Sequence, residues 1–269
     1  MKPITFLGIY RERVYSPGKV QDDQAILDAV LEALAASGCS VGSIHAEDLE
    51  ASMPRAPRVL TMAQSPRVLD ILENWGRQGT DVVNSTQSIR NCYRKPLTGI
   101  LAEAGLPVPP GRIFPLDGAE KAIPLNGSAR VWLKRGDVHA IQAGDVAAVS
   151  SAEELLDALR HFRDHGVESI LVQEHVEGPV VKFYGAGQGA FFRAYLAETG
   201  EDISDEVKTL PTVAQHAAAA VGLEVYGGDA VLTGTGGAAL IDLNDWPSFS
   251  RCCRPAAGSI ACYLERKAR

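Results

Sequence analysis

Short apolar segments alternate with a helical pattern in the first third of this chain of 269 residues. Between Asp22 and Ala36 the apolar side chains recur every three or four residues, which predicts an amphipathic helix that stops at Gly38. The strand-like segments around this helix are Ile4–Tyr10, Val41–His45, Arg58–Met62 and Asp81–Asn84. Because strands that alternate with helices favour parallel pairing, we expect residues 1–85 to form a first lobe with a parallel sheet.

The middle of the chain has the pattern of a small α/β unit. A helix is predicted over Ser88–Ala104, followed by a Pro-rich turn. Two strands are expected after the turn, at Ala129–Lys134 and Asp145–Val149. Ser151 with Glu154 is a capping box, which indicates the start of another helix. We assign residues 86–166 to this central lobe.

The last third is expected to be mostly strand. The predicted strands are Ser169–Glu174, Val180–Tyr184, Phe191–Leu196, Glu224–Leu232 and Ala238–Leu243. One helix, about Val207–Val221, interrupts them. The chain as a whole is therefore predicted to be an α/β (α+β) protein of three lobes, with residues 167–269 as a C-terminal lobe built on an antiparallel sheet.

Composition restricts the function classes. Hydrophobic residues make up 46% of the chain, enough for a core, and the net charge of −7 argues against nonspecific binding to nucleic acid. No apolar run reaches the ~20 residues that span a membrane, and the N-terminus lacks a signal-peptide pattern, so a cytoplasmic protein is expected. Five cysteines at irregular spacing indicate reduced thiols rather than a disulfide framework or a zinc site.

An apolar segment near the C-terminus ends in Asp242-Leu243-Asn244 and is closed by Pro247. In a strand, residues two apart point to the same face, so one carboxylate and one amide oxygen would share one space. Oxygen ligands of this kind suit Mg²⁺, especially when phosphates complete its coordination. The segment predicts a magnesium site; the alternative is a strand that ends in a polar turn.

Polar residues recur upstream of this segment in a fixed order. Lys95 lies in the predicted helix Ser88–Ala104, Lys134 ends a strand, the apolar strand through Leu171 runs into Gln173-Glu174-His175-Val176, and Asp229 lies in a later strand. In this order they resemble the ATP-grasp superfamily. The resemblance implies that ATP binds between the central and C-terminal lobes with Mg²⁺. The residues it implies are Lys95 and Lys134 for the phosphates, Gln173, Glu174 and Val176 for adenine, and Asp229, Asp242 and Asn244 for the metal.

Two branches of that superfamily are similar to different parts of the chain. The segment Asn84–Pro109, with its Ala104-Gly105-Leu106-Pro107-Val108-Pro109 turn, looks like RimK-type ligases. The Asp-x-Asn motif and Val181–Gly185 are similar to inositol-trisphosphate kinases instead. The loop Arg135–Ile141 has one glycine, whereas many members carry a Gly-rich loop over the phosphates at this place.

Basic residues predict where a second, anionic substrate would bind. Arg11 and Arg13 follow the first strand, and loops at the carboxyl ends of parallel strands line ligand crevices. We expect both to contact a carboxylate or phosphate, together with Arg251 and His139. Arg193, in an apolar strand, is expected to contact phosphate during catalysis. The resemblance of Val181–Gly185 to the kinases implies a catalytic role for Lys182. The alternatives are a solvated loop for Arg11 and Arg13, an ion pair for Arg193, and structural or surface roles for the others.

Three functions are compatible with these features. The first is an ATP- and Mg²⁺-dependent carboxylate–amine ligase that forms an acyl phosphate. The second is a kinase that phosphorylates a hydroxyl of a polyol or of an inositol or sugar phosphate. The third is a nucleotide-binding module without catalysis. The expected partner is a small anionic molecule, not nucleic acid or a membrane, and the oligomeric state stays open.

Overall fold

The computed structural model describes residues 3–16, 18–123, 130–137, 142, 144–234 and 236–268. Within these ranges twelve strands form three sheets of four strands each. The first sheet is parallel, as predicted, with strand order β2-β1-β3-β4. Its elements, in chain order, are β1 Phe6–Tyr10, α1 Val20–Ala36, β2 Val41–His45, β3 Arg58–Thr61, α2 Pro66–Arg77 and β4 Asp81–Val83.

The helix α2 was not predicted from the sequence, although its start carries the usual signals. Ser65 accepts a hydrogen bond from the N–H of Val68 at 3.4 Å, and Pro66 occupies the first turn. Its buried face packs Leu72 and Trp75 against the first sheet. The helix thus covers one face of that sheet.

The predicted helix Ser88–Ala104 is two helices, α3 Thr86–Asn91 and α4 Arg94–Glu103. Tyr93 between them has extended backbone angles, and its hydroxyl donates to the carbonyl of Gln64 at 2.7 Å. The break places Pro96 in the first turn of α4, where a missing N–H costs nothing. It also resets the rotation of α4, which decides which basic residue faces the interior.

The central sheet is antiparallel, with order β5-β8-β6-β7. Its elements are β5 Gly111–Pro115, α5 Ala119–Ala122, β6 Val131–Arg135, β7 Val146–Val149, α6 Ala152–Asp164 and β8 Ser169–Glu174. The predicted cap at Ser151 is confirmed, since its Oγ accepts from the N–H of Glu154 at 3.2 Å. The Glu154 carboxylate accepts from the N–H of Ser150, one residue before the position that closes a standard capping box. The apolar face of α6 packs on this sheet.

The predicted boundary after residue 166 would separate β8 from its sheet. β8 pairs with both β5 and β6, so it belongs to the central sheet. A boundary after Glu174 keeps each sheet whole, and we propose that division instead.

The third sheet is antiparallel, with order β10-β9-β11-β12. Its elements are β9 Val180–Ala186, β10 Phe191–Leu196, α7 Leu210–Val221, β11 Val225–Leu232, β12 Ala238–Asp245 and α8 Cys253–Lys267. The helix α8 corrects the expectation that the last third is mostly strand with one helix. It packs against α1 through Ala256, Ile260 and Leu264, and so joins the C-terminal end of the chain to the first lobe.

Asn84 provides a second join between the first and third sheets. Its buried Oδ1 accepts from the N–H groups of Glu224 and Val225 at 2.8 and 2.9 Å, and its Nδ2 donates to the Val225 carbonyl. The end of β4 is therefore bonded directly to the start of β11, which fixes one wall of the space between the lobes.

The five cysteines form no disulfide. Among the helices of the described ranges, none is long and apolar enough to cross a membrane.

Candidate functional site

A cleft of about 500 Å³ opens between the first lobe and the third sheet. The third sheet directs alternate side chains to opposite sides: Val181 and Phe183 enter the core, and Lys182 lies on the cleft side. The polar residues that line the cleft are Arg11, Tyr15, Ser16, Lys19, Asp23, Gln64, Arg94, Lys182, Asp229, Asp242, Asn244, Asp245, Ser248, Ser250 and Arg251.

The three predicted metal ligands line this cleft together. Asp229 of β11 lies opposite Asp242 of β12, and Asn244 is two residues farther along the same strand. Two carboxylates and one amide supply only oxygen donors, which fits Mg²⁺. Among the described residues no three His, Cys, Asp or Glu side chains form a metal-binding group, so the amide of Asn244 is essential to this assignment.

A β-bulge shapes the strand that carries Asp242. The pairing of β11 with β12 passes from Asp229 opposite Asp242 to Ala230 opposite Leu240, which leaves Ile241 as the extra residue. The carbonyl of Ile241 accepts a hydrogen bond from Lys134 Nζ at 2.7 Å. The bulge thereby connects the central sheet with the third sheet beside the carboxylates.

Lys134 is a buried lysine at the end of β6, with 6% of its surface exposed. Desolvation is the largest influence and lowers its pKa to about 8, opposed by the nearby Asp242 carboxylate and reinforced by the Arg94 guanidinium. Burial removes the hydration that stabilises the charged ammonium group. An anionic ligand beside it would compensate for that loss and stabilise the charged form.

Each of the two carboxylates is paired with a basic side chain. Lys182 Nζ lies 2.8 Å from Asp229 Oδ1, and Arg94 Nη2 lies 3.3 Å from Asp242 Oδ2. Burial is the largest influence and acts to lower the pKa of Lys182, but Asp229, together with Tyr184 and Asp242, outweighs it and the pKa is raised. The cleft thus contains two cation–carboxylate pairs.

Solved structures with this arrangement of sheets share one fold. A RimK domain ATP-grasp protein from Sphaerobacter thermophilus is 22% identical, with a TM-score of 0.74 over 96% of this chain and 98% of that one. The chain has the ATP-grasp fold. No protein-family model and no curated protein matches its sequence.

Two further structures with the ATP-grasp fold contain nucleotide. The D-alanine–D-alanine ligase of Bacillus anthracis, complexed with ATP, is 12% identical, with a TM-score of 0.69 and full coverage of both chains (100% of each). The ATP-grasp ligase PsnB, complexed with a minimal precursor, Mg and ADP, is 16% identical, with a TM-score of 0.66 over 97% of this chain and 99% of that one.

Within the ATP-grasp fold of this chain, Arg94 rather than Lys95 enters the site. The buried face of α4 consists of Arg94, Leu97 and Leu101, at helical spacing. Lys95 is turned about 100° away from Arg94 and is exposed outside the cleft. Its backbone N–H donates to the carbonyl of Gly136, next to the central sheet, at 3.1 Å. The three-and-four spacing to Leu97 and Leu101 was the sequence signal that identifies Arg94.

Lys95 therefore provides a direct test of this placement. Lys95→Met should change the affinity for ATP by less than about threefold, because an exposed lysine away from the ligand contributes little. Isothermal titration with a nonhydrolysable ATP analogue and Mg²⁺ would measure the effect. A loss of tenfold or more would return Lys95 to the nucleotide site.

The predicted adenine-binding residues lie at the end of β8. Gln173 is buried and, with Arg94, Ile241 and Asp242, lines a small cavity of about 30 Å³ between α4 and β12. Glu174 is exposed, and its N–H is bonded to the carbonyl of Pro110 at 2.8 Å. Val176 follows the strand and is half-buried. The assignment of these residues to adenine stays a prediction.

Arg11 lines the cleft, but its guanidinium is occupied by the protein itself. It donates to the carbonyls of Met62 and Trp246 at 3.1 and 2.7 Å and forms an ion pair with Asp23 at 3.2 Å. Ser16 also donates to Asp23, at 2.6 Å. A predicted substrate contact from Arg11 is thus better described as a structural ion pair that joins the first lobe to the third sheet.

Arg13 is exposed outside the cleft, and its N–H bonds to Glu47.

Asp245 and Gln64 form a second buried contact between the lobes that sequence reasoning missed. Gln64 Nε2 lies 3.0 Å from both carboxylate oxygens of Asp245, which is 1% exposed. The pairing depends on residues 181 positions apart, so no local pattern could reveal it.

The remaining predicted residues are divided between the cleft and its surroundings. Arg193 is exposed on the edge strand β10, outside the residues that line the cleft, with Asp202 at 4.0 Å. The predicted alternative of an ion pair describes it better than a phosphate contact. Arg251 does line the cleft, with its guanidinium 5.9 Å above the ring of Tyr195. His139 lies outside the described residues.

Proposed function

We propose that this protein is an ATP- and Mg²⁺-dependent ligase that joins a carboxylate to an amine through an acyl phosphate. The observation that carries the proposal is the close grouping of Lys134, Arg94 and Lys182 with the oxygen donors of Asp229, Asp242 and Asn244. Ligases are among the proteins that share its fold, and PsnB binds Mg and ADP. Charge neutralisation and positioning are what phosphoryl transfer requires from a protein.

Lys134 and Arg94 would hold the nucleotide phosphates. Both are nearly inaccessible to solvent, at 6% and 3% exposure, and both are within the electrostatic reach of the carboxylates. Arg94 Nη1 has no hydrogen-bond partner in the described part of the chain. A phosphate oxygen would satisfy this buried donor, and Arg–phosphate contacts are strong because they are charge-assisted.

Asp229, Asp242 and Asn244 would hold Mg²⁺, since hard oxygen donors on neighbouring strands fit this ion. When bound, it would neutralise the charge that develops on the transferring phosphoryl group. Lys182, next to Asp229, lies on the same face of the sheet and would contact the transferring group.

The first half-reaction transfers the phosphoryl group. An oxygen of the acceptor carboxylate attacks the γ-phosphorus, the bond from that phosphorus to the bridging oxygen breaks, and ADP leaves. The amine, as its free base, then attacks the acyl carbon. Phosphate leaves with the former carboxylate oxygen, the nitrogen releases a proton, and the amide remains.

The part of the cleft that Lys19 and Arg251 line is the proposed acceptor end, and it favours an anion. No carboxylate of the described residues lies within ion-pair distance of either side chain. Hydroxyl groups of Tyr15, Ser248 and Ser250 line the same space. We infer that the acceptor keeps a negative group, a second carboxylate or a phosphate, that is not consumed in the reaction.

Neutralising these two cations should weaken acceptor binding selectively. Lys19→Met and Arg251→Met should each raise the KM of the acceptor by about tenfold, the range of one charge-assisted contact, and leave the KM of ATP unchanged. Steady-state kinetics with each substrate varied in turn would measure both values. An equal rise in the KM of ATP would place these residues in the nucleotide site.

Trapping of the acyl phosphate tests the reaction type. The protein is incubated with ATP, Mg²⁺ and a panel of small dicarboxylates, amino acids and phosphorylated acids, with hydroxylamine as the amine. The ligase predicts ADP, phosphate and a hydroxamate that forms only with its own acceptor. A product that keeps the ³²P of γ-labelled ATP and resists hydroxylamine would indicate the kinase instead. Nucleotide binding without turnover of any acceptor would favour the noncatalytic module.

A further inference from the structure

Both proposed metal-binding carboxylates already have cationic partners, but the two partners differ in their freedom to move. The side chain of Lys182 is 42% exposed beside Asp229. The side chain of Arg94 is 4% exposed beside Asp242, and it extends from the buried face of α4. Lys182 can therefore turn toward solvent when its carboxylate is taken, whereas Arg94 meets solvent only slightly, where it lines the cleft.

We propose that Arg94 is a nucleotide-positioning residue that exchanges partners, passing from the Asp242 carboxylate to a triphosphate oxygen when ATP binds with Mg²⁺. This inference rests on the proposed function. Lys182 makes the equivalent exchange from Asp229, with a smaller effect. The sequence analysis assigned no role to Arg94.

The geometry explains why the exchange requires both ligands. A divalent cation on Asp242 would lie close to the guanidinium, and two cations at one carboxylate repel each other in a site with little solvent to screen them. Metal alone would therefore leave a buried guanidinium without its counter-ion, which is costly. A triphosphate supplies the missing acceptors, beginning with the Nη1 atom that has no partner within the described residues.

The consequence is positive coupling between metal and nucleotide. Bound nucleotide gives Arg94 a new counter-ion and so favours metal binding, and bound metal releases Arg94 from Asp242 for the nucleotide. Such coupling changes the two affinities by the same factor. Arg94 thus makes the site selective for the metal–nucleotide complex over either component alone.

Binding of Mn²⁺, measured by electron paramagnetic resonance with and without ADP, tests the exchange without relying on activity. In the wild-type protein ADP should tighten Mn²⁺ binding by about 100-fold, near the upper range of measured coupling. Arg94→Met should tighten Mn²⁺ binding in the absence of ADP by about tenfold, weaken ADP binding, and reduce the coupling below about tenfold. Lys182→Met should change the coupling less.

Two controls keep the result specific. Arg94→Lys retains a positive charge and should keep most of the coupling, and thermal unfolding establishes that both Arg94 variants fold. Arg160→Met removes an exposed arginine on α6, 69% exposed, and should leave every affinity unchanged.

The outcomes separate this inference from the function on which it rests. If the wild type binds Mn²⁺ and ADP together but Arg94→Met leaves the Mn²⁺ affinity and the coupling unchanged, the exchange is refuted and the ATP site stands. A wild-type protein that binds no ADP, even with Mn²⁺, would refute the proposed function and the exchange with it.

Discussion

Replacing Lys134 by methionine should reduce kcat/KM for ATP by about 10²–10³-fold, the cost of removing one preorganised charged contact from a phosphoryl-transfer site. Lys134 is 6% exposed and lies at the junction of the central and third sheets, bonded to the Ile241 carbonyl. A methionine fills a similar volume, so the core should hold while the positive charge is lost. ATP consumption with the hydroxamate assay would measure the loss.

The matched control is Lys121→Met, which removes an exposed lysine on α5. It should retain full activity. Activity of Lys134→Met within threefold of the wild type would mean that the phosphates bind elsewhere.

The lowered pKa of Lys134, about 8, adds a pH dependence to this prediction. The ammonium form binds phosphate, and the free protein loses that form as pH rises through about 8. The affinity for a nonhydrolysable ATP analogue should therefore be constant below pH 8 and fall about tenfold per pH unit well above it, since binding must then take up one proton. Lys134→Arg keeps its charge throughout this range and should give a flat profile between pH 7.5 and 9.5.

Replacing Asp242 by asparagine should have an effect of the same size, about 10²–10³-fold on kcat. The substitution preserves shape but removes the negative charge that pairs with Arg94 and faces the proposed metal. Saturation with Mg²⁺ should then require a higher concentration, because one of two charged ligands is lost. Titration of activity with Mg²⁺ at saturating ATP would measure both changes.

Two companion variants define what Asp242 contributes. Asp117→Asn removes an exposed carboxylate on the surface of the central lobe and should behave as wild type. Asn244→Asp keeps an oxygen donor and should retain more activity than Asp242→Asn. Unchanged Mg²⁺ dependence in Asp242→Asn would remove this residue from the metal site.

In the third sheet, local sequence pattern was enough to predict the strands and the face on which Asp242 and Asn244 lie. Its strands were predicted within a few residues from their apolar segments. The period of two along a strand placed Asp242 and Asn244 on one face, and both line the cleft. The bulge at Ile241 lies outside this logic, because it depends on how β12 pairs with β11.

Lys95 and Arg94 show where the prediction from sequence was insufficient. The spacing of Arg94 to Leu97 and Leu101 was a signal for a buried Arg94 that the prediction did not use. The resemblance to other proteins implied Lys95 instead. The break at Tyr93, where the hydroxyl bonds to Gln64 in the first lobe, depends on a tertiary contact and was not predictable from the local pattern.

The residues predicted for the second substrate depend even more on long-range contacts. Arg11 had the residue type and the position of a ligand contact, but its donors are used by Met62, Asp23 and Trp246. Trp246 lies 235 positions farther along the chain, so this use was invisible to local pattern. Lys19, which lines the cleft and has no carboxylate partner in the described ranges, was not among the residues assigned to the substrate.

A crystal structure of the protein with Mg²⁺ and a nonhydrolysable ATP analogue is the most direct test of the central claim. The phosphates should lie within hydrogen-bond distance, about 3 Å, of Lys134 and Arg94. Adenine should lie against Gln173–Val176, and the metal should be held by Asp229, Asp242 and Asn244. Nucleotide bound away from Gln173–Val176, or with its phosphates remote from Lys134 and Arg94, would contradict the assignment of the site.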